Sequence, residues 1–138
     1  MPDARAAVRL RLSSFGLVAM LILQFVLGMI YNLYGTAPTS SKSVGMFSSP
    51  VLALHVILFF LLVIAAVMQL IRAVGSRHRL AMALSAVGLI GILGAGFAGI
   101  AFIGNGAAGS SLGMSLLFAV ALASYAVLVL VLPTASTT

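Results

Sequence analysis

The chain has 138 residues, 63% of them hydrophobic and 6% charged, with seven Lys and Arg against a single acid and a formal charge of +6. So little polar sequence leaves nothing from which to build a water-soluble domain, and a lone acid, Asp3, excludes chemistry that needs paired carboxylates. The absence of cysteine excludes disulfides, thiolate metal sites and thiol nucleophiles.

Four apolar segments follow one another: Leu12 to Tyr34, Pro50 to Ile71, Leu80 to Ile103 and Leu112 to Leu132. About 20 apolar residues rising ~1.5 Å each cross a hydrocarbon core of ~30 Å, so each segment reads as a transmembrane helix. Arg5, Arg9 and Arg11 precede the first. Basic residues before an apolar run, with Gly35-Thr36-Ala37 after it, resemble the flanks of a secretory cleavage site. The run exceeds the roughly 7 to 15 residues of such peptides and Pro38 follows at once, so a retained helix is expected.

Gly35 to Ser49, rich in Ser, Thr, Gly and Pro, reads as a polar external loop too short to fold alone. Arg72 to Arg79 is a compact basic turn around Gly75-Ser76, and Asn105 to Ser111 joins the last two helices on the outer side. Pro133 closes the fourth helix and leaves Thr134 to Thr138 as a mobile tail. Short connections make sequential helices antiparallel neighbours. The expected architecture is therefore all-α: one domain over residues 1–138, an up-down four-helix bundle integral to the cell membrane.

Six of the seven cations flank the amino-terminal side of the first helix and the turn after the second, whereas Lys42 alone lies in the first loop. The positive-inside rule then sets both termini in the cytoplasm. A nucleic-acid surface needs cations clustered on a folded aqueous face. These cations sit beside helix ends, so the lipid bilayer, and not nucleic acid, is the expected partner.

On the third helix Ser85, Gly88, Gly91, Ala95 and Gly99 recur at three- or four-residue steps. Such a stripe lets a neighbouring backbone approach closely, either inside the monomer or against a second copy, the former being favoured because four short helices need an internal contact face. Buried polar groups are few. Gln24, Gly28 and Tyr31 share a face of the first helix, and His55 shares one with Gln69 on the second. Gly28, His55, Gly99 and Ser115 all fall about 6 to 9 Å from the outer helix ends, one level at which glycines leave room beside an imidazole. His55 is expected either to hydrogen-bond Tyr31, Ser115 or a carbonyl, or to act as a ligand. His78, between Arg77 and Arg79, lies at the opposite end and reads as an interfacial residue. Tyr31 and Tyr34 belong to an outer aromatic belt, and Tyr125 falls in the inner half of the fourth helix.

The run Gln24-Phe25-Val26-Leu27-Gly28, followed by a loop and then His55 early on the next helix, resembles one four-helix half of haem A synthase and of the b-type membrane cytochromes. That resemblance implies haem as cofactor, His55 as axial ligand, and Gly28 and Gly99 shaping the site. The family pattern takes a second histidine from a later helix, and the fourth helix here has none. Met29 and Met114 lie nearer the required depth.

No Ser-His-acid set, HExxH, phosphate-binding glycine loop with Lys, or Cys and His metal cluster occurs, so no catalytic residue and no metal site apart from His55 with haem is expected. The absence of any intramembrane charge argues against charge-coupled transport. The expected function is that of a multi-pass membrane protein without catalysis of its own, an accessory or assembly subunit partnered by another membrane protein or by its own copies. The alternatives are a haem-binding electron-transfer or haem-handling protein, and binding or passage of a small neutral molecule.

Overall fold

The computed structural model describes residues 4–133 as four helices, α1 (Ala4–Tyr34), α2 (Pro50–Gly75), α3 (Arg79–Asn105) and α4 (Ala108–Val131). Asp3 and the tail Thr134 to Thr138 lie outside the described residues. All four helices are long and apolar enough to cross a membrane. The only strand-like pairing among the described residues is an isolated bridge between Thr39 and Lys42. Helix α1 packs on α2 and α4, and α3 packs on the same two helices. The bundle is thus a closed ring in which each helix touches its sequence neighbours and α4 returns to α1.

Helix α1 begins at Ala4, eight residues before the expected Leu12, so Arg5, Arg9 and Arg11 lie on the helix and not ahead of it. Residues 4–11 are mostly Ala, Leu and Arg, strong helix formers. The packing stripe also runs through them. Ala7, Leu10, Ser14, Leu17, Leu21 and Gln24 are all buried, at alternating three- and four-residue steps that keep one face of a helix against its neighbours. Helices α2, α3 and α4 differ from their expected bounds by at most four residues at either end.

Each helix end has an identifiable cause. Ser49 caps α2, its Oγ accepting from the Leu52 amide at 3.2 Å, with Pro50 in the first turn where no amide donor is needed. His78 caps α3, its Nδ1 accepting from the Ala81 amide at 3.3 Å. Gly106, at φ 66°, ends α3 in the left-handed conformation that favours glycine. At the end of α4, Arg11 Nε donates to the Val129 carbonyl at 2.7 Å, filling one of the acceptors that a helix terminus leaves open.

The connection over residues 36–49 is tied down at both edges. The Val44 amide donates to the Ile103 carbonyl at 2.9 Å, and the Pro38 carbonyl lies over Gly106. This segment folds across the end of α3 opposite the arginines. All six arginines gather at the other end, where α1 starts, α2 stops and α3 starts.

The core holds Leu10, Leu17, Leu21, Leu62, Tyr125 and Leu128 together with small and polar side chains, and it is the outer surface that departs from that of a soluble bundle. Ser14, Ala66, Gln69, Ala73, Ala81, Ser85 and Ala121 have no exposed surface, whereas Phe15, Ile64, Ile90, Phe97 and Leu130 are among many large apolar side chains turned outward. Bulky apolar groups over the outside, with small and polar ones set among the apolar residues of the core, suit helices surrounded by hydrocarbon.

Candidate functional site: the polar layers of the bundle

Two polar layers cross the bundle, one in each half. In the half near the 36–49 connection, helical phase carries Gln24 and Gly28 to the face of α1 that meets α2, and His55 to the facing side of α2. Gln24 Nε2 donates to His55 Nε2 at 3.1 Å, and His55 Nδ1 donates to the Gln24 carbonyl at 3.1 Å. The two bonds require one tautomer, with the proton on Nδ1 and the lone pair on Nε2. They also fix the Gln24 amide, because turning it over would point its oxygen at that lone pair. Its Oε1 is buried with no hydrogen-bond partner among the described residues. Gly28 lies against the ring, a Cβ there falling 3.2 Å from His55 Cε1.

Gly28 and His55 therefore meet as their depth and phase predict, but Gly99 and Ser115 do not join them. A Cβ on Gly99 would meet only the Met114 sulfur, at 3.3 Å. Ser115 is exposed and donates to the Ser111 carbonyl of its own helix at 3.0 Å. Tyr31 is directed to the connection, its hydroxyl donating to the Thr36 carbonyl at 2.9 Å. Met29 points outward. Of the partners considered for His55, a backbone carbonyl is the one found, and the Gln24 amide was not foreseen.

An axial haem ligand must offer a ring lone pair to iron. In His55 one nitrogen donates and the other accepts, both toward Gln24, so the residues as arranged do not fit an axial site.

The second layer lies toward the arginine end and is more fully satisfied. Gln69, completely buried, donates from Nε2 to Ser14 Oγ at 2.8 Å and to the Leu10 carbonyl at 3.2 Å. Its Oε1 accepts from Ser13 Oγ. All three of its hydrogen-bonding contacts therefore point into α1, fastening the halves of α1 and α2 nearer the arginine end. Sequence reasoning placed Gln69 on the inward face but missed Ser13 and Ser14. The available signal was that Ser14 stands four residues after Leu10, three before Leu17 and seven before Leu21, in a core position.

Between α3 and α4 the small residues meet bulk or backbone. A Cβ on Gly88 would come within 2.6 Å of the Tyr125 ring, and one on Gly91 within 2.8 Å of the Leu117 carbonyl oxygen. Ser85 is buried beside them and receives the Tyr125 hydroxyl on its carbonyl at 3.4 Å, while Ala95 is half-buried. Gly96, outside the stripe read from the sequence, lies under Phe59 of α2. At the level of Gln24, Phe25 of α1 stacks on Phe118 of α4 with ring centroids 5.7 Å apart.

Two concavities open at the ends. One of about 180 Å³ lies beneath the 36–49 connection beside Tyr31, Thr36 and Lys42. The other, of about 320 Å³, is lined by Arg5, Ala6, Arg9, Leu10 and Arg72 at the arginine end. No group of three or more His, Cys, Asp or Glu side chains that could hold a metal ion occurs among the described residues.

No known protein family, curated protein or solved structure matches this chain.

Proposed function

We propose that the chain is a multi-pass membrane protein with both termini in the cytoplasm, acting as an accessory or assembly subunit and not as a catalyst. The observation that carries this reading is how the buried polar groups are used. Gln69 with Ser13 and Ser14, and His55 with Gln24, are engaged in bonds between helices, so they hold the bundle together in place of lining a reaction centre. The small-residue stripe of α3 is turned to α4, and its glycines act as the internal seam of the monomer. What the molecule presents to a partner is then its outward apolar face. Ile90 and Phe97, two turns apart on α3, are 66% and 73% exposed.

The test uses native membranes. The tagged chain, extracted in mild detergent, is expected to migrate in a defined complex on native electrophoresis. Ile90→Ala with Phe97→Ala is expected to weaken that complex without lowering the melting temperature of the purified chain. Migration of the unsubstituted chain as a free monomer, or a complex left unchanged by the two substitutions, counts against the reading.

A second reading, haem binding at His55, is favoured by the meeting of Gln24, Gly28 and His55 and opposed by the engagement of both ring nitrogens. An absorption spectrum decides between the readings. A Soret band lost in His55→Ala would replace the first reading by the second, and a colourless protein from haem-replete cells removes haem from consideration.

A further inference from the structure

The turn between α2 and α3 is closed by an imidazole. His78 is the N-cap of α3, in extended conformation, and its Nδ1 accepts from the Ala81 amide at 3.3 Å while its carbonyl accepts from the Met82 amide at 2.9 Å. A ring nitrogen that accepts carries a lone pair, so the cap exists only in the neutral ring, with the proton on Nε2. Ala81 has no exposed surface and belongs to the core cluster that holds Leu10 and Ala73. Its amide therefore cannot exchange the imidazole for water unless the first turn of α3 opens. Arg77, just before the cap, has a φ of 54°, the only non-glycine residue described in the left-handed region, and opening the turn relieves that conformation.

We propose that His78 is a pH-operated latch on α3: neutral, it closes the first turn, and protonated, it releases the Ala81 amide and the turn opens. Imidazole changes charge between about pH 5 and 8, so the latch contributes at the upper end of that range and is lost as pH falls. An imidazolium here would also stand at the positive end of the α3 dipole. The charged groups at this end of the bundle are cationic: Arg77 and Arg79 beside the ring, Arg72 in the last turn of α2, and Arg5, Arg9 and Arg11 on α1, the last donating to the Val129 carbonyl of α4. From α4 comes Tyr125, its hydroxyl turned to the Ser85 carbonyl. No Asp or Glu occurs among the described residues to hold a charged ring in place, the one acid, Asp3, lying outside them. At the opposite end Ser49 closes α2 with a hydroxyl, which does not titrate in this range. Acid thus loosens the start of α3 and leaves the start of α2 closed.

The experiment uses the full chain purified in detergent, with amide hydrogen exchange followed by NMR at about pH 7.5 and about pH 5.5, each rate corrected for the intrinsic chemistry of exchange. Protection of the Ala81 amide is expected to fall roughly tenfold at the lower pH, the loss usual for a buried donor deprived of its acceptor. Protection of the Leu52 amide, capped by Ser49, is expected to stay the same. His78→Asn supplies a capping oxygen that does not titrate and is expected to keep Ala81 protected at both pH values. His55 and the terminal amine also titrate in this interval and remain in that variant, so a response lost there belongs to position 78. His78→Ala, without a cap, is expected to leave Ala81 poorly protected at both. Wild-type protection of Ala81 that does not change with pH overturns the latch. The same fall in His78→Asn, or a parallel fall at Leu52, overturns it as well, because the response would then belong to another group or to the whole bundle.

Discussion

Gln69 is the side chain on which the largest number of interhelical hydrogen bonds converge, all of them to α1. Gln69→Leu keeps the volume but leaves Ser13, Ser14 and the Leu10 carbonyl without this partner, at a cost of about 1 to 2 kcal/mol if polar bridges here have the strength measured between membrane helices. Gln24→Leu is a milder change, because His55 Nδ1 still donates to the Gln24 carbonyl and only one bond is lost. Its expected cost is about 0.6 kcal/mol. Thermal unfolding of the purified chain in one detergent checks the order, and a Gln24→Leu protein less stable than Gln69→Leu would show that the histidine layer, not the glutamine layer, fastens α1 to α2. The two layers also differ in how well they could be read from sequence. Gln24, Gly28 and His55 meet because each is polar or small on an otherwise apolar helix, so helical phase alone aims it. Gly99 and Ser115 sit at a matching depth yet face elsewhere. Depth follows from counting residues, whereas rotation about the helix axis does not when α3 and α4 carry small and apolar residues on every side.

The four helices were legible because uninterrupted apolar length is a signal that tertiary context cannot easily override. The start of α1 was not, since a hydropathy reading stops where arginines begin, while the heptad spacing of Ala7, Leu10 and Ser14 carries the helix through them. The α3 stripe contains its own test of helix packing. Gly91→Ala would set its Cβ 2.8 Å from the Leu117 carbonyl oxygen, and a backbone atom can yield only if the helices part. A loss of about 1 to 3 kcal/mol is expected, in the range of overpacking. Gly113→Ala, where a Cβ meets open space within a helix, should be neutral or stabilise by a few tenths of a kcal/mol, up to ~1. Melting temperatures of the two variants that fall together would refute this account of the seam. Gly106 ends α3 for a different reason. Its φ of 66° penalises any Cβ, and one placed there would lie 2.4 Å from the Pro38 carbonyl oxygen. Gly106→Ala should therefore loosen the 36–49 connection as well as the helix end. Faster hydrogen exchange at the Val44 amide, whose acceptor is the Ile103 carbonyl, is the expected sign.

Over the whole molecule the charge is sorted along the bundle axis: six arginines at one end and Lys42 at the other, with large apolar side chains between them on the outside. In water such a surface would drive aggregation, and in a bilayer it supplies both the solvent-facing belt and the orientation. α1, 31 residues and so ~46 Å long, is about three turns longer than a ~30 Å hydrocarbon core, and its first turns set Arg5 and Arg9 beside Arg72. The absence of cysteine makes orientation directly measurable, because any cysteine introduced is unique in the chain. Ser40→Cys, in the exposed connection near Lys42, should react with a membrane-impermeant maleimide in intact cells. Ser76→Cys, in the turn between Arg72 and Arg77, should react only after the membrane is opened. The reverse pattern would put the arginines outside, against the bias that sets membrane topology.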